Sequence, residues 1–377
     1  MDARSSGHQT RSCASFYCDV DAILARANHR RTLAARARVG GPHPATHLLP
    51  HVTPAEETRQ PIIAVIGPTA SGKSALGLEL ALRFNGEIIN CDSVQVYREI
   101  EIATAKVPFD ERRGVPHHLI DFVDPRTNYT AGEWARDAVR VIAEIESRDH
   151  VAILVGGTGL YLRALRHPFF ESPPTDERLR ARLVELRERR GAQHLHEVLR
   201  RLDPESAARL NARDWSRVQR ALEVRLQTRQ PISEQRSVRP APPPFIARLR
   251  VFALNPPRAE LFRRTDARAE EHFRAGLVEE VRALLARGVP SQSSALGAHG
   301  YRRVVEHLRG ERTLASAIEQ TKLDVRHYAK RQLTWFRREQ DVDWIEGFGD
   351  DAATQEIVIE RAADLFGERP IGHELDV

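Results

Sequence analysis

The octapeptide GPTASGKS, Gly67 to Ser74, constrains this chain more than any other stretch. It follows PIIAVI, a short apolar run that reads as a buried strand. It precedes SALGLELALRF, whose apolar spacing is helical. A strand, a G-x-x-x-x-G-K-S turn and a helix together define a phosphate-gripping loop. Successive backbone N–H groups form an anion nest, and the helix N-terminus adds partial positive charge. Within it Gly67, Pro68, Thr69, Ala70, Ser71 and Gly72 shape the nest. Lys73 supplies a point charge for terminal phosphate oxygens, and the Ser74 hydroxyl is a candidate Mg2+ ligand.

The flanking pattern sets the fold class. GEIINCDSVQVY contains a second strand, EWARDAVRVIAEIESR is an amphipathic helix, and HVAILVGG is a third buried strand. Strand and helix alternate, so the expectation is α/β: a P-loop NTPase-like parallel sheet core with helices on both faces. Ligands of such sheets bind beyond the carboxyl ends of the strands. Gly67, Asp92 and Gly156 each close a strand and are expected to converge on one cleft.

Five segments are expected. Residues 1 to 60 lack sustained periodicity and read as a disordered extension. Residues 61 to 171 form the first part of the core. A charged, strand-poor stretch from 172 to 245 reads as a helical insertion ending in the stiff connector SVRPAPPPF. Residues 246 to 345 return to the core with C-terminal helices, and 346 to 377 read as a tail.

Composition excludes some classes. The chain has 377 residues, 41% hydrophobic and 29% charged. No run of about 18 apolar residues occurs, which argues against a membrane span. The mean hydropathy is −0.45 and the sequence pI ≈ 9.3, which favours a polyanionic partner. Only Lys73, Lys106, Lys322 and Lys330 break an otherwise all-Arg basic set. Cys13, Cys18 and Cys91 form no CxxC pair, which fits a reducing, cytoplasmic setting. The pair His117-His118 lacks further ligands at metal spacing and reads as local structure.

A nucleoside triphosphatase usually ends a second apolar strand with an Asp that organises magnesium. Here HVAILVGGTGLY ends in glycines, and the acid follows the other strand, at Asp92. The loop is thus suited to a diphosphate without an obvious hydrolysis partner.

Seven segments in one order carry a resemblance. GPTASGKS, CDSVQVY, IATAKV, VPHHLIDFVDP, LVGGTGLY, RVQRALEV and YAKRQLTWF resemble those of the tRNA dimethylallyltransferases, of bacterial type, from about Pro61 to Trp344. The resemblance implies transfer of a dimethylallyl group from its diphosphate to the N6 amine of the adenosine 3′ of a tRNA anticodon. The partners it implies are the tRNA anticodon arm and dimethylallyl diphosphate, with Mg2+ as cofactor and the protein a monomer. It makes Asp92 the general base, with Ser93, Val94 and Gln95 beside the target nucleotide and Thr158 in contact with it. Arg264 and Arg268 are placed to join Lys73 on the leaving diphosphate. Further tRNA contacts are implied at Arg180, at Ser216, Arg217, Val218, Gln219 and Arg220, at Gly297, Ala298, His299, Gly300, Tyr301 and Arg302, and at Lys330. On the last basic helix Arg326, Lys330 and Arg337 share a face, while Trp335 reads as core.

Departures from the family pattern occur at Ala103, Val107 and His299. An adenylate isopentenyltransferase acting on free AMP or ADP, a small-molecule kinase and a non-catalytic RNA-binding module are the alternative readings.

Overall fold

The computed structural model describes residues 60–170, 173–237 and 240–367. The expected extension, residues 1 to 60, lies outside the described residues apart from Gln60, and so do the last ten residues of the expected tail. The chain opens with β1 (Ile62–Ile66), α1 (Lys73–Arg83), β2 (Gly86–Asn90), the short β3 (His117–His118), α2 (Ala131–Glu146), β4 (Val151–Gly156) and α3 (Gly159–Arg166). It continues through α4 (Glu177–Arg190), α5 (Ala192–Leu202), α6 (Pro204–Arg209), α7 (Trp215–Thr228) and α8 (Ile232–Ser237). It then runs through β5 (Leu249–Asn255), α9 (Arg258–Arg274), α10 (Leu277–Ala286), α11 (Tyr301–Leu308), α12 (Leu314–Phe336), β6 (Val342–Glu346) and α13 (Ala352–Ala363).

The six strands form one sheet in the order β3-β2-β4-β1-β5-β6, and every pairing is parallel. Parallel strands need cover on both faces, which explains why β1 and β4 are buried at every residue. One face packs against Trp134, Val141, Ile142 and Leu162 of α2 and α3. The other packs against Leu76 and Leu80 of α1 and Val358 and Ala362 of α13. Register brings the strand ends together: Ile66 pairs with Gly156, and Asn90 with Val155. The phosphate loop, the Asp92 turn and the glycine turn after β4 therefore leave the sheet side by side, as the alternation predicts.

Local chemistry holds these ends in place. Thr130 and Glu133 form a capping box that starts α2. One turn on, the fully buried Trp134 donates from Nε1 to the Asn90 carbonyl at 2.8 Å and stacks on Tyr161 at 4.6 Å. At the opposite end of β2, Glu87 is almost wholly buried and accepts from Arg148, His118 and His150. That is the local structure into which His118 falls.

Phe169–Pro240 form a compact unit of their own, built on α4 to α8 around Leu183, Leu195, Leu199 and Leu222. Buried Asp203 accepts from the hydroxyls of Ser206 and Ser233, each at 2.7 Å, so one carboxylate ties α6 to α8. Residues 241 to 245, read from sequence as the end of the insertion, belong to the sheet-bearing unit.

The expected tail differs most. β6 extends the sheet beyond β5, and α13 supplies part of the core. Residues 347 to 351 run beside the phosphate loop, where the Gly349 N–H donates to the Ser71 carbonyl at 2.8 Å. Among the described residues no helix is long and apolar enough to cross a membrane.

Candidate active site

The phosphate loop has the backbone that its glycines require. Gly72 is left-handed, with φ of 81°, and caps α1. A Cβ there would lie 2.5 Å from the Asp350 nitrogen, so no other residue fits without moving the C-terminal segment. Ala70 also takes positive φ, 61°. The Lys73 ammonium folds back to the Pro68 carbonyl at 2.6 Å. The Ser71 hydroxyl is fully buried and has no hydrogen-bond partner among the described residues. That orphaned polar atom, with Ser74 in the first turn of α1, suits a polar ligand with its own charged oxygens, including one accompanied by magnesium.

Asp92 stands opposite. Its Oδ1 accepts the Val94 N–H at 2.8 Å and the Gln95 N–H at 3.4 Å. One oxygen therefore closes the turn, which leaves Oδ2 for chemistry in the cavity. Buried Asn90 sets the turn from beneath: its amide donates to the Leu119 and Asp92 carbonyls, and its Oδ1 accepts the Asp92 N–H. Ser93 donates its N–H to the Thr158 hydroxyl oxygen at 2.9 Å.

A cavity of about 530 Å³ joins these groups. Thr69, Ala70, Asp92, Ser93, Val94 and Thr158 line one part of it. Thr265, Arg268 and His272 of α9 and Thr321, Val325 and Tyr328 of α12 line another. Their spacings of three and four residues place each set on one helix face. Arg268 is directed at Asp92 electrostatically and makes no side-chain hydrogen bond among the described residues; burial lowers its pKa. Burial likewise pulls the Lys73 ammonium down to about 8, opposed in part by the Asp92 carboxylate. Two cations short of counter-charge beside one carboxylate make a site built to receive an anion. Burial also holds His272 neutral, with its pKa lowered to about 4, and burial, followed by the Asp92 charge, keeps the Tyr328 phenol protonated.

This geometry has counterparts. The family model described as IPP transferase matches residues 95–339. The chain is 48% identical over 313 residues to a tRNA dimethylallyltransferase of Solibacter usitatus, covering 82% of this chain and 100% of that one. It is 47% identical over 292 residues to one of Geobacter metallireducens, covering 77% of this chain and 94% of that one.

The chain belongs to the tRNA dimethylallyltransferase family.

The fold agrees. A tRNA isopentenylpyrophosphate transferase from Bacillus halodurans matches with TM-score 0.59 and 34% identity, over 82% of this chain and 100% of that one. A structure of a eukaryotic dimethylallyltransferase acting on tRNA matches with TM-score 0.69 and 27% identity, over 84% and 81%.

The other residues singled out for this family fall into distinct settings. Arg264 does not line the cavity: it pairs with Asp350 at 2.7 Å and lies over the Phe348 ring at 3.6 Å. In the separate helical unit, Arg180 and Arg220 both reach the buried Glu223, at 2.9 and 3.3 Å. Val218 and Gln219 point into that unit's interior, whereas Ser216 and Arg217 are exposed. Gly297, Ala298 and His299 line the cavity, and the His299 ring sits 4.8 Å from Tyr328. Gly300 caps α11. Tyr301 is fully buried, with its hydroxyl donating to Glu280 at 2.6 Å, while Arg302 is exposed.

The basic face of α12 meets α9 in part: Arg326 pairs with Asp266, and Lys330 lies 5.4 Å from the Phe262 ring. Trp335 packs against Gly159 and under the Arg163 guanidinium at 4.3 Å. At the departure Ala103, the backbone N–H donates to the Tyr301 hydroxyl oxygen at 3.2 Å, a bond that glycine or alanine can make alike. Lys106 is buried against Asp121 and Glu101.

Sequence reasoning missed His272 and Gln332, and it noted Tyr328 only as an aromatic on one face of the last basic helix. Gln332 lies inside the YAKRQLTWF segment but between its basic residues, which drew the attention, and His272 of α9 belongs to no motif.

Proposed function

We propose that this chain transfers the dimethylallyl group of dimethylallyl diphosphate to the N6 amine of the adenosine 3′-adjacent to the anticodon of tRNA, releasing diphosphate. One observation carries the reading: Arg268 and the phosphate-loop residues Thr69 and Ala70 line one cavity with Asp92, whose Oδ2 makes no hydrogen bond among the described residues, and the buried Lys73 ammonium lies within electrostatic reach of both Asp92 and Arg268. The names of the relatives agree with it.

The carbon–oxygen bond of the donor breaks as a carbon–nitrogen bond to the amine forms, and one N–H proton leaves the amine. Charge grows on the departing diphosphate. The loop amides, Lys73 and Arg268 meet that charge where it develops, which is how a preorganised site lowers a barrier. Magnesium, when bound with Ser74, would neutralise further charge on the same oxygens. The amine lone pair is delocalised into adenine, so the amine is a weak nucleophile. Asp92 Oδ2 accepts its proton as the bond to carbon forms. Arg217 in the helical unit offers exposed positive charge for the tRNA backbone.

Incubation with unmodified tRNA and labelled dimethylallyl diphosphate tests the proposal. Label should enter tRNA with release of diphosphate. Label in AMP but not in tRNA would make the chain an adenylate isopentenyltransferase. Tight ATP binding without prenyl transfer would make it a kinase.

A further inference from the structure

The amide of Gln332 joins the two loops that flank the proposed reaction. Its Oε1 accepts the Thr69 N–H at 2.9 Å, and its Nε2 donates to the Gly157 carbonyl at 2.9 Å. The residue is 5% exposed. Thr69 lies in the phosphate loop. Gly157 precedes Thr158, whose hydroxyl takes the Ser93 N–H beside Asp92. One side chain of α12 thus stands between the diphosphate loop and the loop that steadies the acceptor side.

Resting on the function proposed above, we infer that Gln332 is a positioning residue for prenyl transfer: it sets the distance between the donor-gripping loop and the Thr158–Ser93–Asp92 side of the cavity.

The chemistry demands an amide. One partner is a donor and the other an acceptor, and they must be met by a single planar group. A carboxylate only accepts, and an ammonium only donates. The approach is also close: a Cβ on Gly157 would come within 2.2 Å of Gln332 Nε2. Glycine at 157 and glutamine at 332 therefore belong to one arrangement. A polar group buried mid-helix is costly unless fully satisfied, and here both ends of the amide are satisfied across the gap between the loops. Shifting the loops by about 1 Å would misalign the breaking and forming bonds, a change that costs about 10²-fold in rate.

Three variants test this in the full chain. Gln332→Met keeps volume and removes both bonds. Gln332→Glu keeps an acceptor for Thr69 but turns an acceptor toward Gly157 unless protonated. Leu333→Ala, on the neighbouring helix position, is the control. We expect single-turnover kcat to fall about tenfold to a hundredfold in Gln332→Met. KM for both substrates should stay within about threefold, and the Gln332→Glu variant should recover part of the loss as pH is lowered. A Gln332→Met enzyme with near wild-type kcat and only a lower Tm would reduce the residue to a packing role and overturn the inference. So would a Gln332→Glu enzyme whose kcat relative to wild type does not change with pH. Pyrophosphate titration by calorimetry separates the two proposals. A wild type that binds pyrophosphate but transfers no prenyl group sinks the proposed function. A wild type that does transfer leaves the Gln332 variants to decide the inference alone.

Discussion

The Thr158 hydroxyl receives the Ser93 N–H at 2.9 Å, so the turn after β4 holds the turn after β2. Asp92 is thereby fixed by its neighbours and by its own Oδ1, while Oδ2, the proposed base, takes no part in the turn. Asp92→Asn keeps the shape and the Oδ1 contacts but cannot take a proton. Its single-turnover kcat should drop by roughly 10²–10⁴, with little change in tRNA or diphosphate affinity. Near wild-type turnover in that variant would remove Asp92 as the base.

Lys73 predicts a pH profile. Burial places its pKa at about 8 in the free protein, so the cation is lost as pH rises through that value. The profile of kcat/KM reports the free enzyme, so it should fall above about pH 8. The kcat profile should hold to higher pH, because bound diphosphate favours the charged form. A flat kcat/KM profile to pH 9.5 would contradict this.

Arg268 and Arg264 should separate, although they stand one helical turn apart. Arg268 faces the cavity without a hydrogen-bond partner among the described residues, whereas Arg264 is held by Asp350 and Phe348. Arg268→Ala should raise KM for dimethylallyl diphosphate and lower kcat together. Arg264→Ala should act mainly on Tm. Steady-state kinetics with a thermal scan of each variant decides the assignment, and the reverse ranking would sink it.

Glu87 predicts acid behaviour far from the site. Burial alone would raise its carboxyl, but hydrogen bonds from Arg148, His118 and His150 together outweigh it and hold the group down at about 2. A depressed carboxylate adds stability that is full above about pH 4.5 and is lost as pH falls toward the folded value. Glu87→Gln should lower Tm at neutral pH. It should also flatten the decline of Tm between pH 4.5 and 2.5, and an unchanged decline would place the acid sensitivity elsewhere.

Much of this was legible in the chain, for identifiable reasons. GPTASGKS between an apolar run and a helical one dictates a strand, a nest and a helix by local chemistry alone. β4 is an apolar run ended by glycine, and β2 carries the apolar pair Ile88-Ile89 just before the Asp92 turn. Other elements leave no such trace. β3 is two histidines long, and β6 has a single buried residue, Ile345, among partly and fully exposed ones at the sheet edge. Arg326 and Lys330 look like a free basic face until α9 supplies Asp266 and Phe262, a tertiary fact that periodicity does not encode. Val218 and Gln219 sit in a segment that resembles a contact motif, yet the helix turns them inward.

The phosphate loop begins at Gly67, yet its outer support is the Gly349–Asp350 backbone, nearly three hundred residues later. During translation the loop leaves the ribosome well before the segment that braces it. A growing chain therefore carries the motif without the brace until that segment follows, and the loop reaches its final shape only once β6 has docked.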